Sequence, residues 1–323
     1  MKRAENLRVA VIIPCLNEEA TVGGVLDGFR ASLPAAALYV IDNNSSDRTA
    51  QIALDHGAIV LKETRPGKGF AVRKAFREVD ADVYLLVDGD DTYPAEDAMR
   101  MLEPIFDGRA DVVVGARLGA DSRSEFRHIN RIGNRILLRL LNGVFGAQVT
   151  DLLSGYRAMT REFVKQTPVL SVGFELETEL SVLALEREFR TIEIPVHLRS
   201  RPHGSHSKIS VVWDGFRILN AIFTLLRDYR PFSFFGWAGV IAAYLGILPG
   251  LFVTYEFMQH GTVRVPTAVL ATGLVLSGLI LILVGVMLTA LNRRFRELDH
   301  RLTFLTDEVE RQRPPGAPPG LVN

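Results

Sequence analysis

Over its first 115 residues the chain alternates short β-branched apolar runs with longer stretches whose apolar positions recur every three or four residues. Residues 7–14 read as a strand, 18–32 as a helix and 37–41 as a second strand that stops at Asp42. Residues 46–56 read as a helix with Ser45 or Ser46 as its cap, and 58–62 as a third strand. A helix over 68–79, a strand over 83–87, a helix over 95–106 and a fifth strand over 111–115 follow. This rhythm predicts an α/β fold, a mostly parallel sheet with helices on both faces. The fourth strand runs straight into Asp88-Gly89-Asp90-Asp91. A strand that is apolar throughout is buried on both sides, so it delivers these carboxylates to the C-terminal edge of the sheet, where ligands of open α/β sheets bind. Acids this close repel one another unless a cation or a proton compensates them. Alone, the segment also fits a solvated acidic turn or a helix N-cap with an acidic first turn.

Beyond Gly119 the pattern changes. Arg123, Arg127, Arg131, Arg135 and Arg139 recur every four residues, with Ile132, Ile136, Leu137, Leu140 and Leu141 beside them. A helix over 123–146 with such a basic stripe suits an anionic membrane surface, and it equally suits a solvated face against a core. The downstream sequence favours the membrane. No Asp, Glu, Lys or Arg occurs in 231–255 or in 265–292, and each stretch exceeds the roughly 20 residues that cross a bilayer. The two form a transmembrane hairpin, preceded by an amphipathic juxtamembrane stretch at 211–230 and flanked by interfacial aromatics Phe232, Phe234, Phe235 and Trp237. Arg227 and Arg230 before the first span, and Arg293, Arg294 and Arg296 after the second, place both ends in the cytoplasm by the positive-inside rule. Residues 1–8 contain no apolar signal-peptide core, so residues 1–230 are expected to stay cytoplasmic. Phe295, Leu298, Leu302, Leu305 and Val309 make a short heptad seam within 293–313, a hint of a coiled coil between subunits and of a homo-oligomer. Residues 314–323 are a Pro/Gly tail with nothing to bury.

Composition adds little beyond this. There are 37 basic and 37 acidic residues, so no global charge points to nucleic acid. The single cysteine, Cys15, excludes an internal disulfide framework and suits a reducing compartment.

The candidate chemistry lies at the strand ends: 14–19 (PCLNEE), 42–47 (DNNSSD), Lys68 between Gly67 and Gly69, and the acidic cluster. Each is a common loop. In this order, VIIPCLNEE (11–19), DNNSSDRT (42–49), GKG (67–69), DGDD (88–91) and DLLSGYRAM (151–159) resemble the GT-A glycosyltransferases of family 2. HLRSRPHGSHSK (197–208) ahead of a membrane hairpin is similar to the polyprenyl-phosphate glycosyltransferases, such as dolichyl-phosphate mannosyltransferase and the undecaprenyl-phosphate glucosyltransferases.

The resemblance implies roles residue by residue. Pro14, Leu16 and Glu18 line the nucleoside pocket, and Asp42 hydrogen-bonds the base. Asp88, Gly89 and Asp90 form the Asp-x-Asp site; Asp88 faces ribose and metal, and Asp90 is the principal ligand of Mg²⁺ or Mn²⁺. Thr92 stands where the family often has Gln, a possible additional ligand, and Asp91 is an extra acid that either compensates for it or faces solvent. Arg117 matches a phosphate-binding arginine and acts with Lys68 on the diphosphate. Arg131, Arg201, Ser207 and Lys208 hold the acceptor's lipid phosphate. His203 and His206 are expected to be loop residues, not metal ligands. Glu175 and Glu177 position the acceptor or brace the floor of the site, and bracing is preferred.

The implied reaction moves a sugar, with inversion, from a nucleotide sugar to a polyprenyl phosphate, either undecaprenyl or dolichyl. UDP-glucose or UDP-N-acetylglucosamine is favoured over GDP-mannose. Two readings of other classes stand beside it: a membrane-anchored phosphorylation-receiver module, and a catalytically silent scaffold that binds nucleotide sugars. A processive polysaccharide synthase needs more spans and a Gln-x-x-Arg-Trp signature that the chain lacks.

Overall fold

The computed structural model describes residues 7–117, 149–173, 176–199 and 230–311, with isolated positions between 138 and 227; for residues 296, 297 and 299–311 it describes the backbone alone. Contacts divide the chain into two units, 1–221 and 222–323.

The first unit is built on seven strands: β1 (Val9–Cys15), β2 (Ala37–Asp42), β3 (Ile59–Lys62), β4 (Val83–Leu86), β5 (Val112–Arg117), β6 (Arg157–Thr160) and β7 (Thr191–Val196). Their order is β3-β2-β1-β4-β6-β5-β7, and β6 alone runs antiparallel to its neighbours. Among the described residues six α-helices accompany them: α1 (Val22–Ser32), α2 (Thr49–Asp55), α3 (Lys68–Glu78), α4 (Ala98–Phe106), α5 (Arg161–Gln166) and α6 (Leu176–Glu186).

Strand periodicity sorts the buried side chains into two cores. Val11, Ile13, Val83 and Leu85 face one side, where Val22, Val25, Leu26 and Phe29 of α1 and Met101, Leu102 and Ile105 of α4 cover them. Ala10, Ile12, Tyr84 and Leu86 face the other, against Val72, Ala75 and Phe76 of α3, Phe163 of α5 and Leu176 and Leu180 of α6. The steps of three and four along each helix keep one apolar stripe on the sheet. Burying each large side chain contributes roughly 1.5–3 kcal/mol.

All five expected strands form, within two residues of their expected ends. The sheet is mixed because antiparallel β6 joins it, and parallel β7 adds a further edge strand. Four-residue β6 opens with an arginine, and edge strand β7 contains Pro195, so neither carries an uninterrupted apolar signal. Residues 17–21 turn before α1, with Asn17 left-handed at φ 53°. Helix α2 starts at Thr49, and neither Ser45 nor Ser46 caps it, because both engage Asn17 instead.

In the second unit, α7 (Pro231–His260) and α8 (Val265–Arg311) form an antiparallel hairpin. Pro231 opens α7 where its fixed φ suits a helix, and Gly261 ends it in the left-handed region at φ 66°. The two helices approach most closely at small residues. A Cβ on Gly239 would lie 2.5 Å from the carbonyl oxygen of Gly278, and one on Gly278 2.6 Å from that of Gly239. Trp237, Leu251, Met258, Val269 and Leu283 point outward. Outward apolar side chains and an inward glycine seam are the packing pattern of helices in lipid. Two segments, Pro231–His260 and Val265–Phe295, are long and apolar enough to cross a membrane. Helix α8 then continues without a break through the expected heptad seam to Arg311.

Candidate active site

The C-terminal ends of β1, β2 and β4 adjoin, and hydrogen bonds tie their loops together. Asn43 N–H donates to the Cys15 carbonyl at 2.8 Å, and Glu18 N–H to Thr49 Oγ1 at 2.8 Å. Thr21 Oγ1 donates to the Gly89 carbonyl at 2.7 Å, linking the first loop to the acidic one. Pro14, Leu16 and Glu18 are half-buried on this edge, and Asp42 is buried beside them with Oδ1 accepting from Ser45 N–H at 3.0 Å. The buried amide of Asn43 staples the 63–67 loop to the end of β2. Its Nδ2 donates to the Arg65 carbonyl at 2.6 Å, while its Oδ1 accepts from Gly67 N–H at 2.8 Å. Cys15 lies under this edge as a buried thiol, its pKa pushed well up by burial and then by the surrounding acids.

Lys68 begins α3 and bridges two acids, Asp88 and Glu177, the latter at 2.6 Å. Burial opposes its charge, but both carboxylates outweigh burial and raise its pKa. Lys68 therefore stands where expected, but its ammonium is occupied by protein acids. Glu177, on α6, is the second acid that holds this ammonium.

In the acidic loop, Asp90 Oδ1 accepts from Thr92 Oγ1 at 2.6 Å and from Thr92 N–H at 3.2 Å. Thr92 thus orients the carboxylate that follows Gly89. Asp91 sits in the left-handed region at φ 56° and pairs with Arg199 at 3.5 Å, which also holds Glu96 at 2.6 Å. The extra acid is part of a clasp between the acidic loop and the segment after β7.

Arg117, the last residue of β5, meets Asp151 through two parallel bonds, Nε to Oδ2 at 2.7 Å and Nη2 to Oδ1 at 2.8 Å. Burial disfavours the charge on Asp151, yet the guanidinium holds its pKa low. The loop that carries Asp151 is fixed from beneath by Arg157, whose side chain is fully buried. Arg157 donates to the carbonyls of Ser154 (2.9 Å) and Leu152 (3.0 Å) and to Ser181 Oγ (2.9 Å). Tyr93 OH accepts from Gly155 N–H at 3.0 Å, joining the same loop to the residues after the acidic cluster. Asp151, Arg157 and Tyr93 went unassigned from sequence. The one available signal for Asp151 was an acid opening the DLLSGYRAM motif. Arg131, Arg201, Ser207, Lys208 and Glu175 lie outside the described residues.

The donor set suits a hard divalent cation. Asp88 and Asp90 offer only oxygens, and among the described residues no cluster of three or more acid, His or Cys side chains closes a cage. Mg²⁺ and Mn²⁺ take one or two carboxylates and fill their remaining positions with water and substrate phosphate.

Residues 10–167 match the sequence profile of Glycosyl transferase family 2. The chain is 34% identical over 298 residues to glycosyltransferase AglJ of Haloferax volcanii, spanning 92% of this chain and 98% of that protein. It is also 34% identical over 193 residues to a dolichyl-phosphate hexose transferase of the same organism, covering 60% of this chain and 83% of the relative. Among solved structures, glucosyl-3-phosphoglycerate synthase of Mycobacterium tuberculosis aligns at a TM-score of 0.58 and 23% identity, covering 70% of this chain and 81% of that one. The same enzyme in complex with Mn²⁺, UDP and glucosyl-3-phosphoglycerate aligns at a TM-score of 0.57. The fold is GT-A, and the chain belongs to glycosyltransferase family 2.

Proposed function

We propose that the protein transfers a sugar from a nucleotide sugar to a polyprenyl phosphate at the membrane surface and inverts the anomeric carbon. The observation that carries this reading is the convergence of Asp88, Asp90 and Lys68 on one sheet edge, in a chain with two membrane-length helices. The relative named as a dolichyl-phosphate hexose transferase supports the lipid acceptor.

Asp90, with Asp88, would hold Mg²⁺ or Mn²⁺, which when bound supplies positive charge to the departing diphosphate. Pro14, Leu16, Glu18 and Asp42 bind the nucleoside, and Lys68 and Arg117 face the diphosphate. The nucleophile is an oxygen of the lipid phosphate, already mostly ionised near neutral pH because its second pKa is about 6. It forms a bond to the anomeric carbon as the bond from that carbon to the diphosphate oxygen breaks, and the electron pair leaves with the nucleotide. A single displacement converts an α-linked donor into a β-linked lipid phosphosugar. No strong general base is required, so catalysis rests on alignment and charge. Arg131, Arg201, Ser207 and Lys208 are assigned to the lipid phosphate, with the catalytic unit and both termini on the cytoplasmic side. UDP-glucose or UDP-N-acetylglucosamine is the favoured donor. The 295–309 seam is assigned to self-association.

A panel of nucleotide sugars, incubated with one polyprenyl phosphate and the protein in membranes, tests the proposal. Labelled sugar should enter a solvent-extractable lipid whose mass equals polyprenyl phosphate plus one hexose or N-acetylhexosamine. Label that enters no lipid with any donor, while nucleotide sugars still bind, would instead identify a silent scaffold.

A further inference from the structure

The ammonium of Lys68 lies against Oδ1 of Asp88, one of the two acids expected to hold a divalent cation. The lysine side chain is only 16% exposed, and that of Glu177, its second partner, 5%. The backbone of Gly155 also lies against the Asp88 carboxylate, where a Cβ would overlap Oδ2 and lie 2.9 Å from Cγ. The Asp88 carboxylate therefore stands between a lysine and a backbone, with 30% of its side chain left exposed. The backbone beneath Lys68 is equally fixed. Gly69 N–H donates to the Val172 carbonyl at 3.0 Å, and Gly67 N–H to Asn43 at 2.8 Å. A Cβ on Gly69 would overlap the Ser171 carbonyl. With the start of α3 pinned on both sides, the lysine's long side chain is the part of the triad able to rearrange.

A partly buried carboxylate stripped of its counterion is costly, so Asp88 exchanges one cation for another instead of standing bare. We propose that Lys68 is the resident cation of the donor site. It neutralises Asp88 until a divalent cation arrives with the nucleotide, and Glu177 is the positioning residue that retains it. When the donor enters, the ammonium leaves Asp88, keeps Glu177 and turns its remaining protons to the diphosphate. Divalent cation and nucleotide consequently bind cooperatively, while the cation alone must compete with the ammonium. This inference rests on the glycosyltransferase reading of Asp88 and Asp90.

The test is Mn²⁺ titration of the full-length protein in phospholipid nanodiscs, with free ion followed by electron paramagnetic resonance, with and without UDP. In the wild type, UDP should tighten Mn²⁺ binding by about tenfold or more. Lys68→Met should tighten binding of Mn²⁺ alone by about tenfold and shrink the effect of UDP. The double variant Lys68→Met/Glu177→Gln preserves the net charge of the site and leaves no unpaired Glu177. It should show the same tightening, which long-range charge then cannot explain. Unchanged affinity for Mn²⁺ alone in the double variant would overturn the proposal, as would tightening by an equal factor with and without UDP. Asp90→Ala separates the underlying reading: if it binds Mn²⁺ as the wild type does, the acidic loop is not the metal site, whatever the lysine variants show.

Discussion

The two units solve opposite solvation problems. In the first, apolar side chains are turned inward onto two faces of a sheet, and buried charge is met either by opposite charge, as Lys68 by Asp88 and Glu177 and Arg117 by Asp151, or by backbone and hydroxyl groups, as Arg157 is. In the second, large apolar side chains point outward and glycines meet at the contact between α7 and α8. Water drives burial of apolar surface in the first. In lipid no such drive would act, and the close backbone approach of Gly239 and Gly278 is what would hold the second. A leucine therefore has a different worth in each unit.

The sharpest test of the contrast is at the charged edge. Asp90→Ala should lower sugar transfer by about 10²–10³-fold while both units stay folded, as read by labelled lipid and circular dichroism. A fully active Asp90→Ala protein, assayed with added Mg²⁺ or Mn²⁺, would remove the acidic loop from the chemistry. Next in size, Leu85→Ala in the sheet core should cost about 2–5 kcal/mol of stability, measured by denaturant unfolding of the first unit's signal. Gly278→Leu should cost about 1–3 kcal/mol in the hairpin, because the added side chain meets the backbone of Gly239. Thermal melts in detergent should show the helices separating earlier while UDP binding persists. Weakened UDP binding in that variant would mean that the two units are not energetically separate.

A fourth prediction concerns pH. Glu63 is buried and accepts from Arg65 through Nε at 3.0 Å and Nη2 at 2.9 Å, and Arg65, 4.6 Å from the Phe70 ring, holds the Glu63 pKa down at about 2. A depressed carboxylate pKa contributes stability that is fully present above about 4.3 and fades as pH falls through the folded value. Glu63→Gln should therefore be less stable than the wild type at pH 6, with the gap closing near pH 2, as measured by urea midpoints across that range. The smallest effect is expected at Leu283, which is 71% exposed on α8. Leu283→Ala should change hairpin stability by less than about 0.5 kcal/mol. A cost like that of Leu85→Ala would reveal a partner covering that face.

Much of this was legible in the residues. The first five strands carried continuous apolar runs, and both membrane-length helices stood out by the absence of charge. The acidic loop, Lys68 and Arg117 were recognisable because strand ends in this fold converge on one edge. What escaped was short or paired over distance. The β6 strand is four residues long and begins with Arg157, a residue that in isolation predicts exposure. Asp151 and Glu177 became meaningful only through partners 34 and 109 positions away in the chain. The caps assigned to Ser45 and Ser46 failed for the same reason, since Asn17, on a neighbouring loop, competes for both serines.

By itself, then, the order of apolar and polar residues determined the class of fold and the two membrane-length helices, because periodicity and strand direction are local properties. Only the tertiary structure decided which acid answers which base. Asp91 went to Arg199, Asp151 to Arg117, and Lys68 to both Asp88 and Glu177. The physical reason is that burial makes an unpaired charge costly, so each buried charge takes the partner that the folded backbone brings within reach.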